Sequence, residues 1–388
     1  MAGVLNFAPS PIFQQFPTRR IPKTRVSIRS SSEFSETPPN SASVSTKEQP
    51  NLGFSPPPNF KPPQPKPFSV RPDKIRDILG AALALFFRLG TGVFASGYQF
   101  TLSLSLGISI LVWYSVSFVA KNEVPSDKYA LEIAGFKVKE TSKLGPRPEK
   151  PIEIYEFERF VLIMDIKSIL NIAFVREIVA VLDLDVLYYP CPKNGPNFRQ
   201  KVAQMGGKKQ FPYMVDPNTG VAMYESDDII KYLVGKYDEG DVTNIFCFFF
   251  HSFNTSVPVS LNLEFLCVGD GNVPIMLSLG LLTTLTEGFA MIGRMGKGGS
   301  FTPSKLPPEP LEIWAYEGSP FCKVVREVLV ELELPHLLHS CARGSPKRQI
   351  LYEKTGHFQV PYLEDPNTGV QMFESAEIAE YLRATYAL

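Results

Sequence analysis

The sequence predicts an α/β fold made of two tandem copies of one small unit, and three observations support this. The stretch Gln359 to Ser375, QVPYLEDPNTGVQMFES, has a near-copy at Gln210 to Ser226, QFPYMVDPNTGVAMYES. Each copy runs into a segment of helical spacing, SAEIAEYLRATY or SDDIIKYLVGKY. Each is preceded by an alternating strand opener, PIEIYEFE from Pro151 or PLEIWAYE from Pro310, and by a helix starting at a shared Val-Arg-Glu, at Val175 or Val325. Apolar residues at a period of two mark the strands, and apolar residues at a period near 3.6 mark the helices. DPNTG places Pro and Gly turn formers between two alternating runs, which reads as a hairpin.

Residues 1–72 are expected to be a targeting and disordered region. Met1 to Ser32 carries Arg19, Arg20, Lys23, Arg25 and Arg29, no acidic residue and a serine cluster, which is transit-peptide composition and points to the chloroplast. From Glu33 to Pro72 the chain is rich in Ser and Pro, with too little apolar surface to offset ordering. Residues 73–150 are an apolar segment and a polar tether. No charge occurs from Leu89 to Ala120, a run of 32 residues, and Phe100 to Ala120 has the length to cross a bilayer. Its serines, glycines and β-branched residues suit a buried hairpin equally.

The first unit is expected at 151–237, an apolar linker at 238–309 and the second unit at 310–388. The two units differ at the first strand-to-helix connection. GSPFCKV in the second has seven residues, whereas RFVLIMDIKSILNIAF in the first has sixteen. Such loops usually run about two to six residues. Either the first unit has lost the chemistry of this turn, or the segment is a retained intron or an alternative exon; segments 159–174, 241–268 and 99–113 share an unpatterned apolar character, which favours the second.

The chain has 39 basic and 39 acidic side chains, so no overall field favours nucleic acid. Its five cysteines are an odd number without zinc spacing, which argues for free thiols over a disulfide framework. His336, His339 and Cys341 lie close together, but an amphipathic strand explains them without a metal.

SPFC at Ser319 to Cys322, QVP at Gln359 to Pro361 and Glu374-Ser375 together make the second unit resemble the thioredoxin fold of glutaredoxins and of the glutathione transferase amino-terminal domain. The first unit keeps QFP and Glu225-Ser226 and lacks the SPFC turn. The resemblance implies glutathione as co-substrate, no metal, and a cis proline at Pro361 and Pro212. It also implies that Gln359, Val360, Pro361, Glu374 and Ser375, with Phe211, Pro212, Glu225 and Ser226 in the first unit, contact glutathione. Lys347 or Arg348 would take its glycyl carboxylate. Ser319 stands where glutaredoxins place the nucleophilic cysteine, and SPF matches plant tau-class transferases, whose serine hydroxyl stabilises the thiolate. Ser319 is also what a helix start wants regardless of ligand. Cys322 occupies the resolving position, where burial makes a thiol inert.

The expected function is that of a plastid glutaredoxin-like or transferase-like protein that binds glutathione or a thiol protein, with thiol-redox chemistry at Ser319 and Cys322. The alternatives are a non-catalytic scaffold that keeps the groove, and a membrane-tethered protein of the prostaglandin-synthase kind.

Overall fold

The computed structural model describes residues 54–66, 69–104, 118–120, 127–133, 136–157, 171–239 and 297–388, with positions 277, 286, 288–290 and 292–294. In the first unit, β5 (Ile152–Glu156) leads to α2 (Asn171–Val181), β6 (Val186–Pro190), α3 (Phe198–Gly206), β7 (Tyr213–Asp216), β8 (Val221–Tyr224) and α4 (Ser226–Tyr237). The second unit repeats this as β9 (Leu311–Ala315), α5 (Pro320–Glu331), β10 (His336–Ser340), α6 (Lys347–Thr355), β11 (Tyr362–Asp365), β12 (Val370–Met372) and α7 (Ser375–Tyr386). Both helices expected at Val-Arg-Glu begin earlier, by four residues in the first unit and five in the second. In α5 the cause is local: Ser319 caps the helix and Pro320 fills its first turn.

The repeated hairpin motif is held by a buried latch. Asp365 accepts hydrogen bonds from the Tyr381 hydroxyl at 2.6 Å and the Tyr386 hydroxyl at 2.7 Å. Asp216 accepts from Tyr232 at 2.7 Å and Tyr237 at 2.5 Å. Burial alone would raise the Asp216 carboxyl, but these phenols and Asn218 hold it below the usual carboxylate range. Gly369 and Gly220 close the turn at φ +75°, a conformation that favours glycine. Each DPNTG therefore ties its hairpin to the helix that follows.

The two units share one eight-stranded sheet, in the order β12-β11-β9-β10-β6-β5-β7-β8. The join is antiparallel pairing of β6 with β10, in which Leu187 faces Leu337, its own counterpart in the repeat. A pseudo-twofold axis therefore passes through that pair, and each unit covers an edge that the other would leave open. Leu338 packs against the cores of both units.

The same symmetry extends to two lead-in segments. Helix α1 (Ile75–Phe87) ends at Arg88 in the sequence RLGTG, and a short 3-10 turn, Ile292–Arg294, ends at Arg294 in RMGKG. Arg88 grips the buried Glu177 carboxylate with two bonds of 2.8 and 2.6 Å. Arg294 grips Glu327, the counterpart of Glu177, with two bonds, one of 2.7 Å. Each lead-in then crosses to the other unit. Arg343 is bracketed by Val93 and Ala95, as Lys193 is by Gly299 and Phe301, through backbone bonds of 2.7 to 3.0 Å. The repeat thus begins well before Pro151 and Pro310. Helix α1 passes so close to Gly293 that a Cβ on Gly80 would lie 2.5 Å from the Gly293 carbonyl oxygen.

Between Arg88 and the first unit lies a second sheet, ordered β2-β1-β4-β3. Its strands are β1 (Gln99–Leu104), β2 (Phe118–Ala120), β3 (Leu131–Ile133) and β4 (Phe136–Thr141). The stretch from Phe100 to Ala120 accordingly starts and ends in strands, not in a crossing helix. β1 and β2 pair in parallel, so they do not form the alternative hairpin either. Residues 105–117 lie outside the described residues. Among the described residues no helix is long and apolar enough to cross a membrane. The opening of segment 99–113 is strand β1, and Asn171 to Phe174, at the close of 159–174, are the first turn of α2. Residues 1–53, 158–170 and 240–276 lie outside the described residues, and with them the transit-peptide expectation and the 241–268 segment.

Candidate functional site

Ser319 sits at the start of α5, 3% exposed, and its hydroxyl accepts the Cys322 amide at 3.3 Å. That is the helix-capping role. Cys322 is buried, and burial pushes its thiol up to about 11, against smaller opposing hydrogen bonds from Ser319 and Tyr316. At neutral pH the group is a thiol, which is the unreactive form. It lines a small cavity between the two units with Arg176, Tyr188, Arg326 and His336. The space, about 30 Å³, suits one or two waters. The Tyr188 hydroxyl is buried there without a hydrogen-bond partner among the described residues.

The remaining expected residues come from the hairpin and the helix that follows it. The Val360–Pro361 and Phe211–Pro212 bonds are both cis. Gln359 Nε2 donates to Glu374 Oε1 at 2.8 Å, and Gln210 donates to Glu225 in the same way. Glu374 (φ +73°) and Glu225 (φ +64°) both hold the left-handed backbone that a β-carbon disfavours, immediately before the buried serines Ser375 and Ser226. The Ser226 hydroxyl has no partner among the described residues. The fold therefore brings Gln359, Glu374 and Ser375 together at one helix start, and Gln210, Glu225 and Ser226 at another.

Two expected ligand groups are committed elsewhere. Lys347 pairs with Asp185 at 2.6 Å and donates to the Asp183 carbonyl, bridging the units. Arg348 is 3% exposed and donates to the carbonyls of Cys341 and Ala342 and to the Tyr129 hydroxyl. Neither charge is left for a glycyl carboxylate. Arg199, the counterpart of Arg348, likewise binds the carbonyls of Cys191 and Pro192. The recurring Arg-Gln at 199–200 and 348–349 was the signal for this structural role.

The chain amino-terminal to the units contacts both the turn before Ser319 and the Glu374 corner. Gly92 and Val93 run against the turn before Ser319, where a Cβ on Gly318 would meet Val93 at 2.2 Å. At the other end the Lys66 amide donates to Glu374 Oε1 at 2.6 Å. Residues 54–66 and 69–72, from the stretch expected to be disordered, run along α7. Phe54 packs on Tyr386, with ring centroids 5.3 Å apart, and Phe60 packs on Tyr381 at 5.0 Å.

His339 lies between Asp185 and Glu312 at 3.2 and 3.3 Å, whereas His336 stacks on Tyr188. Cys341 and Cys191 are buried at matching strand ends. Among the described residues no cluster of three or more His, Cys, Asp or Glu side chains is arranged to hold a metal.

Residues 171–240 and 314–388 match the family model described as glutathione S-transferase, N-terminal domain. No curated protein and no solved structure matches the chain. With two matched regions lying in two copies of the β-α-β-α-β-β-α order that share one sheet, the chain holds a tandem pair of thioredoxin-like units, each similar to the glutathione S-transferase N-terminal domain.

Proposed function

We propose that this protein is a glutathione-binding module in which the hairpin side of each groove recognises the ligand and any thiol chemistry is confined to the second unit. The observation that carries the reading is the pair of identical corners: a cis proline, a glutamine bonded to a glutamate of positive φ, and a serine opening a helix. A helix start offers free amides and a favourable dipole to a carboxylate. Beside it, the Glu374 or Glu225 carboxylate is suited to an amine, and the backbone before the proline can pair with an extended peptide. Those are the three functional groups of a γ-glutamyl peptide.

Binding is better supported than turnover. A buried Cys322 with a raised pKa is a poor nucleophile, and the Ser319 hydroxyl is engaged by its own helix. These two observations favour the non-catalytic scaffold as the second reading. Chloroplast import is supported by the composition of residues 1–32, and fusion of residues 1–72 to a fluorescent reporter tests it. The membrane-tethered alternative draws support from α1, which turns Leu79 (63% exposed) and Phe86 (72%) outward.

The test is calorimetric titration of reduced glutathione into the full chain, with disulfide-reduction and conjugation assays on the same preparation. We expect binding without appreciable turnover, and loss of binding in a Glu225→Gln/Glu374→Gln double variant. Absence of heat at millimolar glutathione would overturn the reading. Turnover lost in Ser319→Ala or Cys322→Ser would instead establish the enzyme.

A further inference from the structure

Glu374 accepts two hydrogen bonds, and they come from different sources. Gln359 belongs to the groove and has a counterpart in Gln210, which makes the same bond to Glu225. The Lys66 amide belongs to the proline-rich segment and meets Glu374 across 308 positions of sequence. At the counterpart corner Glu225 is exposed. The two corners are therefore alike in their own residues and differ in what reaches them from outside.

The segment that reaches Glu374 is anchored along the whole of α7. Phe54 lies on Tyr386 at the helix end, Phe60 on Tyr381 one turn or so earlier, and Lys66 at the helix start. Beyond Lys66, Arg71 pairs with Glu380 at 2.9 Å and Glu377 at 3.4 Å. Tyr381 and Tyr386 are the latch residues on Asp365, so the aromatic surface the segment uses is already fixed by the fold. A run of prolines loses little backbone freedom on docking, which suits it to lie on such a surface. Its anchors are two ring contacts, one amide bond and a pair of partly exposed ion pairs. Phe54 and Phe60 are only partly buried against the second core, the amide bond is exposed and the ion pairs are partly exposed, so the segment can be displaced without opening that core.

We propose that residues 54–66, with Arg71, form an intramolecular strap that closes the second unit's ligand corner by placing a backbone N–H where the ligand would place its amine. The strap and the ligand compete for the Glu374 carboxylate, so the intact chain binds through the second unit only in the fraction of molecules whose strap is released. The first unit has no such contact among its described residues and is open at Glu225. The strapped unit is the one that retains the Ser-Pro-Phe-Cys turn.

This inference rests on the glutathione reading, and the experiment separates the two. A Phe54→Ala/Phe60→Ala/Arg71→Ala variant of the full chain is compared with the parent in titrations with reduced glutathione, on a Glu225→Gln background that silences the first unit. A second form carries a specific protease site at positions 67–68 and is titrated before and after cleavage. Circular dichroism checks that the fold is kept, and limited proteolysis at residues 54–66 reports release of the strap.

The strap variant and the cleaved form are expected to bind about tenfold or more tightly than the parent, a gain that Glu374→Gln abolishes. Equal binding by parent and released forms would overturn the strap while leaving the glutathione reading intact. No binding by any form, with release shown by proteolysis, would overturn the glutathione reading at the second unit and the gate with it, while the first unit is tested by the parent chain without Glu225→Gln.

Discussion

His336 shows how much a single side chain depends on its surroundings. Burial is the main cause that pulls its pKa down to about 4, with only partial relief from the bond to the Leu334 carbonyl, so the folded protein holds a neutral imidazole. An unfolded chain protonates this residue near its ordinary value of about 6.5. Below that pH the unfolded state binds a proton the folded state refuses, so stability falls as pH drops from 6.5 towards 4. The full loss is on the order of 3 kcal/mol. His336→Phe keeps a ring on Tyr188 and removes the titration. Its urea midpoint is therefore expected to fall less than the parent's between pH 7 and pH 4.5, and equal falls would refute the assignment. At the same scale, Ser319 illustrates why a motif residue can be present without its chemistry: the hydroxyl of SPFC caps a helix and the residue is buried.

Among the elements, the lead-in segments govern how the helices of each unit are seated. Glu177 and Glu327 lie on buried faces of α2 and α5, where an unpaired carboxylate would be costly. Arg88 and Arg294 supply bidentate partners from outside the β-α-β-α-β-β-α unit. Arg294→Met leaves Glu327 buried without its main partner and is expected to destabilise the protein by about 3–5 kcal/mol. Adding Glu327→Leu should recover much of that loss, since an apolar pair of similar volume avoids desolvating two charges. Chemical denaturation of the two single variants and the double variant measures the coupling, and additive effects would show that the pair does not act as a unit.

Over the whole molecule, the β6–β10 join converts two small domains into one sheet with a common core. Leu338 touches both cores, and Lys347 bridges from α6 to Asp183 and Asp185 of the first unit. The two units are therefore expected to unfold together. Hydrogen exchange at increasing denaturant should open β5 and β9 at the same concentration. Leu338→Ala should lower that concentration for both strands, by roughly 1–2 kcal/mol of stability, since Leu338 is only partly buried. Two separate transitions, or an effect confined to β9 and β10, would contradict this.

The sequence by itself determined the repeat, the order of its elements and the two corners at Gln210/Glu225 and Gln359/Glu374, because period, turn chemistry and duplicated motifs are local properties of the chain. It also carried signals that local reading passes over: RLGTG against RMGKG, the paired Arg-Gln, and the tyrosines five residues apart in α4 and α7. Their meaning lies in partners far along the chain, Glu177 and Glu327 for the arginines and Asp216 and Asp365 for the tyrosines. Only the tertiary structure decided that Lys347 and Arg348 are spent inside the protein, that Phe100 and Ala120 lie in strands, and that a proline-rich segment lies along α7 and reaches Glu374. Each of those outcomes depends on which surfaces meet, and composition records the availability of a charge or an apolar face without recording what neutralises or covers it.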